Sequence, residues 1–367
     1  MRNLKHLHIV GNEMKFIKPF IQYVNSNFDA EEHFFLVLNS NKESSVEMAA
    51  YKNVKIAKPF DCKNSFLRKL MLVYKVPSSM VLLLWYFNKA KKIYLHGLFD
   101  KKVIIFLYVF KSFSNKVYWQ MWGGGDLDIP TKAQSRTLWY RITKKVKGRF
   151  SGYVSYLPGD YKLAQELYGS KGEFFEALMY ESNTFNEVEL NKLNDGIVRI
   201  QVGNSADSAN NHFEIFNKLE KFKDENIEIY CILSYGEKPW SPGWAQKVIK
   251  RGEDLFGHKF IPVIDFMSFE EYLGFLGKID IAIFAHKRQQ AMGNTISLLG
   301  LGKKVYLRSD VTSWELFKDI GVKVFDVNEL SISTINSCDQ QANIEMIKSN
   351  FSKEKYHQQL RDLFEGF

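Results

Sequence analysis

The feature that most constrains this chain is an alternation, set out twice, between short apolar runs of strand length and longer stretches of helical period. In the first half the runs are HLHIV, HFFLVL, NVKIA, KIYLH and KVYWQMW, with SSMVLLLWYFNKAK and KKVIIFLYVFKSF between them. In the second half GIVRIQV, IEIYCIL, KFIPVI, DIAIFA, KKVYLR and VKVF start at intervals of roughly 20 to 30 residues, with stretches such as SFEEYLGFLGK between them. A strand followed by a helix and then another strand returns parallel to the first, so each half predicts a parallel sheet with crossover helices. At 367 residues, 46% of them hydrophobic, the chain exceeds what one ordinary core holds. The fold expected is α/β: two Rossmann-like domains, 1–180 and 196–345, whose parallel sheets face each other across a cleft. The polar segment 178–195 reads as the linker. Residues 346–367 are expected to form a C-terminal helix that packs back toward the first domain.

Charge is divided between the halves. Residues 1–150 hold 26 Lys and Arg against 10 Asp and Glu, a balance of +16, whereas residues 151–367 hold 24 against 31, a balance of −7. Such one-sidedness points to an anionic partner for the first half, a lipid surface or nucleic acid. The stretch TKAQSRTLWYRITKKVKGRF, 131–150, carries seven cations, with Leu138, Ile142 and Val146 at i, i+4 and i+8 and Trp139 and Tyr140 beside them. It reads as a basic amphipathic helix suited to an anionic inner leaflet, and no nucleic-acid-binding motif accompanies it. The longest apolar runs, 80–87 and 103–110, have eight residues each. A bilayer span needs roughly 20, and no signal-peptide core opens the chain. A peripheral protein at the cytoplasmic face of a membrane, with no transmembrane segment, is the expectation. Cys62, Cys231 and Cys338 show no paired spacing, which speaks against a disulfide framework or a zinc site and for a reducing compartment.

The chemistry-bearing residues gather where strands end. After IVRIQV come Gly203, Asn204, Ser205, Asp207, Ser208 and Asn210, just ahead of the helical HFEIFNKL. Backbone N–H groups are unpaired at such a helix entry and an anion is welcome there; a cap accounts for one polar residue, not six. After DIAIFA come His286, Lys287, Arg288, Gln289, Gln290, Gly293 and Asn294, a set that can grip a diphosphate by forked and amide donors. Neither loop matches a dinucleotide fingerprint or a Walker loop. Tyr235 and Gly236 close the second strand of this series. Asp265 and Phe266 follow KFIPVI as further candidate ligand contacts, while Ser268 and Glu271 have the spacing of a capping box. In the first half, His96 and Gly97 follow KIYL, and Trp122 with Gly123, Gly124 and Gly125 follows KVYWQ. Three glycines permit close approach of a bulky ligand. Asp126 is the best-placed acid for a catalytic base, His96 the second; Asp126 also stands where a residue caps the next helix. Gly11 and Glu13, after HLHIV, are further candidates on this side, Glu13 being the third choice of base.

In combination, QVGNSADSANNH, AHKRQQAMGNT followed by SWELF, and HGLF with WQMWGGGDL resemble glycosyltransferase family 56 over most of the chain. The resemblance implies a GT-B fold with a nucleotide-sugar donor on the C-terminal domain and a lipid-linked acceptor on the N-terminal one. It implies transfer of a 4-acetamido-4,6-dideoxyhexose from a dTDP-sugar to a polyprenyl-diphosphate-linked oligosaccharide, for enterobacterial common antigen or O-antigen. By position, Gly203, Asn204, Ser205, Asp207, Asn210 and His212 match one family loop, and Arg288, Gln289, Gln290 and Gly293 the other; Ala291 stands where the family usually has Gly. No metal or other cofactor is expected, the leaving diphosphate being neutralised by Arg288, Lys287 and helix N-termini. GDP-fucose or a dTDP-4-acetamido-4,6-dideoxyglucose donor remains an alternative, as does a non-catalytic sugar-nucleotide or polyanion-binding protein.

Overall fold

The structure is a computed structural model; it describes residues 4–11, 14–38, 47–57, 80–123, 126–127, 129–188 and 195–366. The chain divides into two compact units, Met1–Glu181 with Tyr356–Phe367, and Ser182–Lys355.

In the N-terminal unit the strands are β1 (Leu4–Val10), β2 (His33–Val37), β3 (Val54–Ile56), β4 (Ala90–His96), β5 (Val117–Gln120), β6 (Gly152–Ser155) and β7 (Glu173–Glu176). They form one parallel sheet in the order β3-β2-β1-β4-β5-β6-β7. The chain fills one side of β1 before crossing to the other. Loops at the carboxyl ends of β1 and β4 therefore diverge, which is where open α/β sheets bind ligands. Central strands are buried on both faces: Leu7, Ile9, Ile93 and Leu95 on one face pack with Phe87, Val103 and Phe106, while the other face of the same strands carries buried His6, His8, Tyr94 and His96.

The last helix, Lys353–Glu365, belongs to this unit. Its buried Tyr356, Leu360, Leu363 and Phe364 recur at i, i+4, i+7 and i+8, one stripe of a helix. Lys92 Nζ donates to the carbonyls of Leu363 and Phe364 at 3.1 and 3.3 Å, and Tyr94 Oη to that of Leu363 at 3.1 Å. Carbonyls left open at the end of a helix are thus satisfied by the sheet beneath. Residues 346–367 are not one helix: Ser337–Asn350 ends in the C-terminal unit before Lys353 starts the next.

Two further expectations are corrected. The segment 178–195 is no free linker, because Leu178, Met179 and Tyr180 are buried in the first unit. Phe185 is anchored in the second, its N–H donating to the Phe351 carbonyl at 2.7 Å and its ring lying against Gly300. Isolated apolar anchors in a polar stretch overrule its composition. Residues 131–150 are two helices, Lys132–Ser135 and Leu138–Lys147, because Thr137 caps the second by accepting from the Tyr140 N–H. Leu138 is 71% exposed, Val146 is buried in the core, and Lys147 is buried as well.

The C-terminal unit holds β8 (Val198–Val202), β9 (Ile227–Ile232), β10 (Phe260–Val263), β11 (Ile281–Ile283), β12 (Lys304–Leu307) and β13 (Phe325–Asp326). All pair in parallel in the order β10-β9-β8-β11-β12-β13. Here β8 and β11 are the neighbours from which the chain departs in opposite directions. The loops after them are the two polar clusters of the sequence. Ser268 and Glu271 close the capping box over the helix Phe269–Lys278.

A candidate nucleotide cradle and the polar interior of the N-terminal unit

The loop after β8 is built around glycine and asparagine. Gly203 has φ +64°, and a Cβ there would lie 2.7 Å from Asn210 Oδ1 and 3.1 Å from His212 Nε2, so no side chain is tolerated. Asn210, fully buried, is the hub. Its Oδ1 accepts from the Asn204 N–H at 2.8 Å and faces His286 Nε2 at 2.9 Å. Its Nδ2 donates to the Ser205 carbonyl and hydroxyl, both at 3.1 Å, and to the Asp207 carbonyl at 3.0 Å. Asp207 accepts from the Ala209 N–H and pairs with Lys238 at 3.5 Å. Asn211 Nδ2 ties the loop to β11 through the Ala285 carbonyl at 2.7 Å.

This bonding sorts the residues the sequence had grouped. The side chains of Ser205, Asp207 and Asn210 hold the loop by bonds among themselves and to the Ala209 N–H. Among the described residues, the side-chain atoms left without a partner are Asn204 Oδ1, His212 Nε2 and, from within β8, Gln201 Oε1, and the Ser205 backbone lies close enough to the His212 ring to favour its charged form. His212 opens the helix His212–Leu219, and its Nδ1 accepts from Trp244 Nε1 at 3.2 Å. The proton of its neutral ring therefore sits on Nε2. Burial lowers its pKa to about 4, so at neutral pH it offers one oriented N–H and no charge.

The loops after β9 and β11 meet this one. Gly236 has φ +93°, and a Cβ on it would lie 2.9 Å from that of Ser205; the Ala206 N–H donates to the Tyr235 carbonyl at 2.6 Å, and Asn204 Nδ2 to Tyr235 Oη at 3.4 Å. After β11, His286 is buried, Lys287 exposed, and Arg288, Gln289 and Gln290 partly exposed ahead of the helix Met292–Gly300. Ala291 takes φ +60° at the entry to this helix, a conformation glycine adopts without strain. Gly293 and Asn294 lie in its first turn, and a Cβ on Gly293 would meet the Ser182 carbonyl at 2.6 Å. Asp265 and Phe266, the latter 79% exposed, lie beyond β10.

In the N-terminal unit the two expected bases are not free. Asp126 is 1% exposed. Its Oδ1 accepts from the Leu98 N–H at 3.2 Å and pairs with Lys147 Nζ at 3.1 Å; its Oδ2 accepts from Trp119 Nε1 at 2.8 Å and the Trp122 N–H at 3.4 Å. Lys147 Nζ also donates to the Asp126 carbonyl. The carboxylate is an anchor for its loop, neither a base nor a helix cap. His96, 2% exposed, contacts Tyr180 Oη at 2.8 Å through Nδ1 and His8 Nδ1 at 3.1 Å through Nε2. Buried on both ring nitrogens, it is no free base toward a ligand. Gly97 and Gly123 take φ +69° and +68°, and Trp122 lies edge-on to Phe16 and Tyr180. Gly11 follows β1. Glu13, Gly124 and Gly125 lie outside the described residues.

A sequence profile of the family described as 4-alpha-L-fucosyltransferase, glycosyl transferase group 56, matches residues 14–366. The chain belongs to glycosyltransferase group 56. Solved structures agree on the fold. A glycosyltransferase from Rickettsia africae is similar at TM-score 0.64 and 14% identity, covering 100% of this chain and 98% of that one. Anabaena Alr3699/HepE is similar at TM-score 0.66 and 9% identity in complex with UDP, and at 0.64 and 10% in complex with UDP-glucose, each covering 99% of this chain and 100% of that one. The two parallel-sheet α/β units are those of a GT-B glycosyltransferase, an enzyme that uses a nucleotide sugar.

Within this group 56 enzyme, several residues of the cradle were not legible as such. Gln201 signals itself only as a polar residue inside IVRIQV; its Nε2 donates to the Gly203 carbonyl at 3.0 Å and to Tyr272 Oη at 3.3 Å. Gln120, at the end of β5, is fully buried and neither side-chain atom has a partner among the described residues.

The histidines of the N-terminal sheet give a pH prediction. His6, His8, His33 and His96 are all buried, and burial lowers each pKa: to about 4 for His33, about 3 for His96 and about 2 for His6, with His8 well below its usual value. Lys5 and Lys92 push the same way, and Asp29 opposes at His33. The unfolded chain binds protons from pH ~6.5 downward that the folded chain refuses. Stability is therefore complete above pH ~6.5 and falls with decreasing pH by up to ~1.4 kcal/mol per unit for each such histidine, until the folded pKa is reached. Melting followed by near-ultraviolet dichroism is expected to show a steep loss between pH 6.5 and 4; a melting temperature level across that range contradicts the burial.

Proposed function

We propose that this enzyme transfers a 4-acetamido-4,6-dideoxyhexose from a dTDP-sugar to a polyprenyl-diphosphate-linked oligosaccharide of a bacterial surface polysaccharide, without a metal. The observation that supports a nucleotide-sugar site in the C-terminal unit is the cradle after β8: a backbone open at Gly203, with His212 Nε2–H and Asn204 Oδ1 beside it and without a partner among the described residues. A neutral imidazole N–H, the entry of the helix Met292–Gly300 and the Arg288 guanidinium form a set of donors suited to a diphosphate. In this reading they stabilise the charge that builds on the leaving group. The Anabaena complexes hold UDP and UDP-glucose, so a uridine donor is the second reading.

The acceptor is assigned to the N-terminal unit, at Gly11, Gly97, Trp122 and Gly123. Lipid-linked acceptors are drawn from a membrane surface, and this unit presents apolar side chains among lysines. Val81, Trp85 and Val109 are 66%, 48% and 61% exposed, and Lys89 Nζ lies 3.6 Å over the Trp85 ring. Lys101 and Lys102 start the helix that carries Val109. Among the described residues no helix is long and apolar enough to cross a membrane. Docking on anionic lipid by this face completes the proposal.

Thermal-shift titration with dTDP, UDP, GDP and CMP tests the donor, since a ligand that binds the folded form raises its melting temperature. dTDP is expected to give the largest shift. Arg288→Ala is expected to weaken that nucleotide by ~1.5 to 3 kcal/mol in calorimetry, the range for charge-assisted hydrogen bonds. Equal affinity in the variant removes Arg288 from the site, and release of nucleoside diphosphate only when donor and acceptor are both present tests transfer itself.

A further inference from the structure

Three hydrogen bonds in series cross the interior of the N-terminal unit. Tyr180 Oη contacts His96 Nδ1 at 2.8 Å, His96 Nε2 contacts His8 Nδ1 at 3.1 Å, and His8 Nε2 contacts His33 Nδ1 at 2.9 Å. One end lies beside Trp122, whose ring centre is 5.3 Å from that of Tyr180, past the carboxyl end of β5. The other end opens on a cavity of about 460 Å³ lined by His33, His6, Lys5, Asp29, Glu32 and Arg361 among others. The histidines come from three strands, β1, β2 and β4; His8 is stacked with Phe35 and Tyr94, and Phe364 lies edge-on to His33. Apolar side chains would fill this space at lower cost, because each buried imidazole needs partners for two nitrogens.

The connectivity imposes a rule on the protons. Every link joins Nε2 of one ring to Nδ1 of the next, so neutral rings at His96, His8 and His33 must share one tautomer. Either all three carry the proton on Nε2 and the file points toward the cavity, or all carry it on Nδ1 and it points toward Tyr180. Burial keeps the rings neutral at neutral pH, as such a file needs.

We propose that Tyr180, His96, His8 and His33 form a proton file that carries the acceptor's hydroxyl proton from the sugar-transfer site to the charged cavity. This rests on the reading that the acceptor binds at the carboxyl ends of the N-terminal strands. As the acceptor oxygen bonds to the anomeric carbon, the bond from that carbon to the diphosphate oxygen breaks, its electron pair staying with the diphosphate. The hydroxyl proton passes to the Tyr180 oxygen while the Tyr180 proton moves to His96 Nδ1. His96 gives its Nε2 proton to His8, His8 gives its own to His33, and His33 releases one from Nε2 to water or a carboxylate in the cavity. All three tautomers are then inverted; when product has left and water reaches Tyr180, hops in the opposite sense restore them. His8 and His33 act through other residues and are positioning groups, not catalytic ones.

The test uses the full chain with the donor chosen by the nucleotide panel and a lipid-linked acceptor. His33→Phe keeps an aromatic ring against Phe364 but cannot pass a proton. It is expected to lower kcat at least tenfold with both KM values unchanged. His33→Ala opens the site to the cavity, and added imidazole is expected to restore most of kcat, with an efficiency that follows the pKa across substituted imidazoles; His8→Leu, which cuts the file at its centre, is not restored. Wild-type kcat in His33→Phe, or a loss in His33→Ala that imidazole leaves untouched, overturns the file and leaves the transferase reading standing. Nitrogen-15 spectra of the histidine rings decide the same point without turnover. One tautomer shared by His8, His33 and His96 supports the file, and mixed tautomers refute it. Absence of transfer by the wild type with every donor sinks the transferase reading instead.

Discussion

Asn210→Leu is expected to destabilise the C-terminal unit by ~3 kcal/mol or more and to abolish nucleotide binding, since the variant strands several buried polar groups at ~1 to 3 kcal/mol each before relaxation. The groups are the Asn204 N–H, His286 Nε2, and the carbonyls of Ser205 and Asp207, all served by one amide of zero exposure. Leucine has the branched shape of asparagine with larger ends, so the loss is polar, with crowding added and no cavity opened. Asn204→Ala is the contrast. Its Oδ1 has no partner among the described residues and its Nδ2 makes one long bond to Tyr235 Oη, so stability is expected to change little while nucleotide affinity falls. Denaturant melts paired with calorimetry read both quantities. If Asn210→Leu melts and binds like the wild type, the loop is held by something other than this hub.

The second large effect concerns Asp126. Asp126→Ala is expected to cost ~3 to 5 kcal/mol, the range for removing one partner of a buried ion pair, because it leaves the Lys147 ammonium, 4% exposed, without its carboxylate. Lys147 also lies 4.5 Å from the centre of the Trp119 ring, whose indole N–H would lose its acceptor. Adding Lys147→Met should recover part of the loss, since an apolar side chain of similar length leaves no charge to bury. Melts of the two single variants and the double variant close the cycle. An Asp126→Asn protein with wild-type stability and no turnover would return the carboxylate to the role of base.

Most of the sheets was legible from the sequence because their strands are buried on both faces and so stand out as short runs rich in apolar residues, with polar residues such as His8 and Gln201 set among them. Every run read in the second half lies on a strand. β6 and β7 went unread: each is four residues long, GYVS and EFFE, the second with a glutamate at either end. The linker was misjudged because Tyr180 and Phe185 bind opposite units as single anchors, which leave no period to detect. At the candidate site, sequence fixes place but not direction. Asn204 and Asn210 are the same residue type six positions apart, both buried, yet the side chain of one keeps an unpartnered oxygen among the described residues and that of the other holds the loop. Asp126 drew attention as an acid among cations, whereas its partner stands 21 positions away in a stretch read as a basic, lipid-facing helix. Charge counts cannot separate a cation on the surface from one turned inward.

The route of the backbone also bears on how the protein is made. Phe364 covers His6, His8 and His33, yet it follows the entire C-terminal unit in the chain. As the chain leaves the ribosome, the N-terminal sheet must wait with its histidine face uncovered until every residue of the other unit has been synthesised. Maturation of the first unit is thereby tied to completion of the second, and a nascent chain cut short at any point before this aromatic clasp carries an unfinished, aggregation-prone surface.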